Sequence, residues 1–316
     1  MDVHSKLEKL SDAATYDVCS ADINSIAEPE QFIYPAKLSG GVTPLLKVLL
    51  TNACENDCLY CANRCSISSP RYTFEPDELA STFMQLKNKG KVDGLFLSSG
   101  ICGKTKETTE KMIKTVEIVR LKHKFTGYIH LKILPESSID YVRRAIQLAD
   151  RVSINLEAPN QERLSLISRD KDFDKLIERI KWISDISSEE HLPAGHTTQF
   201  VVGAADETDK EILETTFKLH REYNLRRAYF SPFRPVDKTP LQGHRKTPKE
   251  RKIRLYQTDF LLRDYSFSME EIPFSEEEFE KLLDDFIQRD NEEMPVSTFF
   301  AALESIDREK KKKLFQ

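Results

Sequence analysis

The sequence predicts an α/β protein built on a partial (β/α)6 barrel, and three observations carry that expectation. Short apolar runs alternate with segments of helical periodicity from Leu45 onward, the pattern of βα units on a parallel sheet. Six such runs occur, too few to close the eight-stranded TIM barrel, so a TIM-like partial barrel is expected. The residues with chemical reach fall at the ends of these runs, where barrel strands converge on one open mouth.

Taken in order, residues 1–44 contain polar stretches and end in a Ser39-Gly40-Gly41 turn signal. They read as an N-terminal extension placed to wrap the barrel. Strands are expected at Leu45–Leu50, Val92–Leu97, Tyr128–Leu134, Arg151–Leu156, Thr197–Val202 and Arg226–Phe230. Between the first two, Leu79, Phe83 and Leu86 recur at helical spacing before Gly90. Leu176, Ile177, Ile180 and Ile183 do the same after Asp172, a candidate cap. Past Pro240 the pattern changes to a basic stretch, then to Phe279, Leu282, Leu283 and Phe286 on one face of an acidic helix, then to a Lys310–Lys313 run. The chain thus divides into an extension (1–44), a barrel (45–241) and a helical C-terminal extension (242–316).

With 31% charged residues and 39% hydrophobic ones, the composition is that of a folded globular chain rather than a disordered or collagenous one. No apolar run approaches the roughly 18–20 residues of a membrane span, and Met1–Lys9 lacks the apolar core of a signal peptide, so a cytoplasmic location is expected. A net charge of −5 argues against a protein that coats nucleic acid wholesale, while leaving room for a local basic patch.

Four of the six cysteines fall within twelve residues, which points to metal or redox chemistry rather than to disulfides. Cys54, Cys58 and Cys61 form C-x3-C-x2-C directly after the first barrel strand. Three thiolates at these offsets wrap one face of a cubane and leave its fourth iron without a protein ligand. An open iron can be chelated by a small molecule's amino and carboxylate groups, and a reduced cluster can pass an electron into a sulfonium. A structural zinc site is the other reading, with Cys65 as the extra thiol nearby. Tyr60 stands where an aromatic ring flanks a cofactor base, or simply packs. Ser153, Asn155 and Glu157 alternate along the fourth expected strand, so their side chains share a face suited to ribose hydroxyls and a carboxylate, or to a polar network filling the barrel. His130 and Lys132 share a face of the third strand.

At these residues the chain resembles the radical S-adenosylmethionine (radical SAM) superfamily, whose C-x3-C-x-aromatic-C loop is matched by Cys54, Cys58, Tyr60 and Cys61. The resemblance implies an enzyme with a 4Fe-4S cluster that cleaves S-adenosylmethionine to a 5′-deoxyadenosyl radical, which abstracts hydrogen from a substrate. It also implies an electron donor such as a flavodoxin or ferredoxin. Ser98-Ser99-Gly100 stands where family members carry a Gly-Gly-Glu-like turn for the methionine amino group; the Glu is missing, so backbone and hydroxyls take that contact. Gln199, Val201 and Gly203 resemble the fifth-strand motif that packs on adenine. Phe230-Ser231-Pro232 through Thr239-Pro240-Leu241 resembles the sixth-strand ending of biotin-synthase-like members, with Arg234 in that loop as a candidate for a substrate carboxylate or phosphate, or for a structural acid.

The likeness covers Leu45 to Leu241. Asn155–Pro159, Thr198–Ala204 and Leu255–Asp259 are further similar to a subfamily described as DNA modification or repair proteins. Members of that subfamily end in a helix-hairpin-helix, and nothing after Phe274 has that pattern. The basic stretch Lys238, His244, Arg245, Lys246, Lys249, Arg251, Lys252 and Arg254 is either a phosphate-contacting flank, with nucleic acid as the candidate partner, or a solvated helix face. Cys65 and Cys102 read as non-ligands, and Cys19 is isolated.

Overall fold

The computed structural model describes residues 2–15, 17, 33–38, 41–274 and 282. Seven strands form one sheet whose spatial order is the chain order: β1 (Ile33–Leu38), β2 (Gly41–Leu49), β3 (Gly94–Ser98), β4 (Tyr128–Lys132), β5 (Arg151–Ser153), β6 (His196–Val202) and β7 (Arg227–Pro232). β2 through β7 run parallel and correspond to the six strands expected. All five residues of β3 are buried, as expected of a parallel strand covered on both faces. The fold is an α/β partial barrel.

Sequence reasoning missed β1, which pairs antiparallel with β2 in the register Leu38↔Gly41 and so leaves two residues for the connection. Pro35 explains the omission, because proline cannot donate to a ladder and belongs on an edge strand, which is where β1 lies. β5 is shorter than the expected Arg151–Leu156. Beyond Ser153 the Thr198 hydroxyl replaces the ladder, donating to Ile154 O at 2.8 Å and accepting from Leu156 N at 3.2 Å.

Helices fill the connections: α2 (Pro76–Asn88), α3 (Thr105–Glu117), α4 (Ile139–Leu148), α5 (Gln161–Ile167), α6 (Phe173–Glu189) and α7 (Asp209–Tyr223). Their starts are written in local chemistry. Ser138, Asn160, Asp172 and Thr208 each accept from a backbone N–H of the first turn. α7 ends on Asn224 in the left-handed region, a common C-terminal cap.

Both flanks join the barrel's core. α1 (Val3–Ala13) buries Leu7 and Leu10 in it. α8 (Lys249–Asp264) contributes Leu255, Leu261 and Leu262 and lies on edge strand β7, where the Tyr256 hydroxyl accepts from Phe230 N at 3.1 Å. An open parallel sheet is thereby covered at one exposed edge. No helix among the described residues is long and apolar enough to cross a membrane. Cys19, the Phe279–Phe286 stripe apart from Leu282, and Lys310–Lys313 lie outside the described residues.

Candidate active site

The C-terminal ends of β2 to β7 open onto one cavity of about 990 Å³, walled by Cys54, Cys58 and Cys61 on one side. The loop that carries them is held by backbone and by one arginine. Arg71 donates to the carbonyls of Asn52, Asn63, Arg64 and Ile67 at 2.6–2.9 Å, so four points of the loop converge on one guanidinium. The Asn52 side chain clamps its other end, donating to Pro70 O and accepting from Tyr72 N. Gly100 lets β3 approach the loop: its N–H donates to Thr51 O at 2.8 Å, and a Cβ there would collide with the Ala53 carbonyl.

The turn after α5 closes over the same loop. Leu59 N donates to Ile167 O at 2.8 Å, Asp57 N to the Asp170 carboxylate at 2.6 Å, and the Ser168 hydroxyl lies 3.2 Å from Cys58 Sγ. Arg64 grips Asp57 through Nε at 2.8 Å and through Nη2, and this guanidinium holds the Asp57 carboxyl down at about 2. Burial raises the Cys58 thiol and pushes the Cys61 thiol up to about 12. Cys65 is exposed, with its thiol 3.6 Å from Asp57, and Cys102 is exposed; neither lines the cavity. Among the described residues no group of three His, Cys, Asp or Glu side chains is placed to hold a single metal ion.

Glu157 reaches into the same cavity from a left-handed backbone, φ +66°. Such a conformation costs on the order of 1 kcal/mol and persists where surroundings impose it. Here Glu157 N donates to Gln199 O at 2.9 Å and Glu157 O accepts from Val201 N at 2.8 Å, fixing the residue beside β6. Its carboxylate is 2.8 Å from Lys171 Nζ, and both side chains are almost fully buried. Burial alone would lower the Lys171 amine, but Glu157 and Cys58 outweigh it and raise it. Lys171 also donates to the Tyr60 hydroxyl at 3.4 Å, and burial, then Glu157, raises that phenol well above its ordinary value.

Of the residues singled out from the sequence, Tyr60, Ser98, Ser99, Gly100, Asn155, Glu157, Gln199, Val201 and Arg234 line the cavity with the three cysteines. Ser153 and Gly203 do not. Ser153 faces the barrel interior one layer deeper, 2.7 Å from His130 Nε2, and His130, buried and kept neutral, stacks edge-on against Phe96. Gly203 packs against the C-terminal flank, where a Cβ on it would strike the Thr247 hydroxyl. Sequence reasoning missed Arg71, Ser168 and Lys171, and likewise Asp17 and Lys47 on the cavity wall.

Comparisons with known proteins bear on the family and the fold. A family model described as the radical SAM superfamily matches residues 48–219, more than half of the chain. No curated protein matches. Among solved structures, methylornithine synthase superposes with a TM-score of 0.56 at 17% identity, covering 68% of this chain and 60% of that one. The FeFe-hydrogenase maturase HydG from Carboxydothermus hydrogenoformans gives 0.54 at 13%, covering 70% and 51%. A radical SAM methyltransferase from Sphaerobacter thermophilus gives 0.50 at 13%, covering 80% and 85%. The chain spans about half to three-fifths of the length of the synthase and the maturase, and at these identities the likeness establishes the fold. Matched by the family model from within β2 to within α7, this chain belongs to the radical SAM superfamily, enzymes whose cofactors are a 4Fe-4S cluster and S-adenosylmethionine.

Proposed function

We propose that Cys54, Cys58 and Cys61 hold the cluster, and that the cavity beside them binds S-adenosylmethionine together with a substrate from which hydrogen is abstracted. The fit rests on the donor set and on one orphaned atom. Among the described residues three thiols, and no fourth cysteine, line the cavity, which suits a cluster with one iron left open. The Ser99 hydroxyl oxygen, buried in the same wall, has no hydrogen-bond partner among the described residues, and a buried polar group of this kind calls for one. When bound, the two cofactors supply a one-electron reductive cleavage of a carbon–sulfur bond that yields a 5′-deoxyadenosyl radical.

The chain's own residues then have definite tasks. Ser99 and Gly100 offer a hydroxyl and a backbone surface to the methionine amino group. Asn155 and Glu157 face the ribose hydroxyls, and Gln199 and Val201 face adenine. Tyr60 is the aromatic neighbour of the base, and Lys171, 2.8 Å from the Glu157 carboxylate, holds that side chain in place. The surrounding walls limit the access of water, which a carbon radical's selectivity requires. The reductant is a small electron carrier, a flavodoxin or ferredoxin.

Nucleic acid as the substrate draws support from Arg234 and Lys252 on the cavity wall. Other members of the basic stretch serve the fold: Arg251 pairs with Asp209 at 2.6 Å and with Glu207, and His244 bonds Gly203 O at 3.0 Å. A cluster- or zinc-stabilised binding module without radical chemistry is the competing reading. The three thiols lining the cavity carry the enzymatic one. Anaerobically reconstituted wild type, given dithionite and S-adenosylmethionine, is expected to form 5′-deoxyadenosine, and Cys58→Ala is expected to lose both bound iron and product. Iron-loaded wild type that forms none would leave the binding module standing.

A further inference from the structure

Beyond the thiols the cavity wall changes character. Lys47 on β2 and Lys132 on β4 flank strand β3, and their ammonium groups stand 6.0 and 5.9 Å from the centre of one ring, that of Phe96. Both residues are buried, at 7% and 5% exposure, and both line the cavity. Ser98 and Asn155 border them, and Asn155 Oδ1 accepts from Lys132. The barrel strands therefore present cations and neutral polar groups at this end, and no acid. The carboxylate comes from outside the barrel. Asp17, in the segment after α1, places Oδ1 3.3 Å from Lys132 Nζ, and Thr15 O accepts from Lys47 Nζ at 3.3 Å. Burial would raise the Asp17 carboxyl, but Lys132, Ser98 and Lys47 together lower it, so it is an anion there.

Taking two neighbouring ammonium groups out of water is costly, and apolar residues of like volume often serve stability as well or better. The other acid on the described cavity wall, Glu157, is engaged with Lys171. We propose that Lys47 and Lys132 form a subsite for an anionic group of the substrate, a carboxylate or a phosphate monoester, and that Asp17 is the internal anion this group displaces. The proposal rests on the reading of this cavity as the active site and adds the substrate's chemical class to it.

Calorimetric titration of the reconstituted holoenzyme, with inorganic phosphate and separately with acetate at constant ionic strength, tests it. Asp17→Asn keeps the shape and removes the charge, and it is expected to bind one of the two anions about tenfold tighter than wild type. Lys47→Met with Lys132→Met is expected to abolish that binding. The tighter anion identifies the class. Equal or weaker binding by Asp17→Asn, or undiminished binding by the double variant, overturns the subsite, and the Asp17→Asn comparison decides alone if the double variant does not fold. Iron content and 5′-deoxyadenosine measured on the same samples separate the two readings. Cleavage without anion binding sinks the subsite only, and anion binding without cleavage sinks the radical reading only.

Discussion

Gly100 is where the cysteine loop and β3 touch, with a backbone bond on one side and no room for a Cβ on the other. Gly100→Ala must push the Ala53 carbonyl away, and such overpacking costs about 1–3 kcal/mol. Urea unfolding of cluster-free protein checks that magnitude, and lower iron content after reconstitution is the expected companion. The residues of this site were unevenly legible in the sequence. Cys54, Cys58 and Cys61 announce themselves because their spacing is local; Asn155 and Glu157 were singled out by strand alternation, but β5 stops at Ser153 and both reach the cavity from beyond it. Lys171 and Ser168 become partners of the loop only through the fold, 111 residues from Tyr60 and 110 from Cys58. A usable signal existed, since both lie in the run that follows the fourth barrel strand, where a barrel places its functional groups. Arg71 had no such signal, because its partners are carbonyls, which every residue carries.

Elements were legible where their boundary chemistry is local. The Asp172 cap and the Thr208–Glu211 capping box start their helices as short-range rules anticipate. Glu211 does more than cap: it also accepts from Arg163 at 2.9 Å, joining α5 to α7, and Arg163 with the cap holds its carboxyl at about 2. A carboxyl near 4.3 in the unfolded chain and near 2 in the folded one stabilises the fold above the higher value and loses that contribution as pH falls through the lower. At neutral pH Glu211→Gln is therefore expected to lower stability by about 1–2 kcal/mol, discounted for the quarter of the side chain that is exposed. The deficit should shrink as the pH falls from about 4.3 toward 2, as urea unfolding of wild type and variant at pH 7 and pH 3 will register. By contrast, β5 ended early because one side-chain hydroxyl, Thr198, took over its ladder, a substitution that strand propensity does not encode.

At the scale of the whole molecule, one hydrophobic core runs from α1 through the barrel to α8. Leu10, fully buried, is part of the tie between the N-terminal segment and that core, and the same segment brings Asp17 to the cavity. Leu10→Ala is expected to cost about 2–5 kcal/mol, and thermal unfolding is expected to remain a single transition. A separate low-temperature step would mean that α1 docks as an independent unit. The strand order carries one more consequence. Because the sheet follows the chain, each strand leaving the ribosome finds its neighbour already made. The turn that seals the cysteine loop comes late, however, with Ser168 following Cys58 by 110 residues. At ordinary rates of translation that interval lasts about 5–20 s. Throughout it the nascent chain carries three uncovered thiols, open to oxidants and to whichever metal ion arrives first.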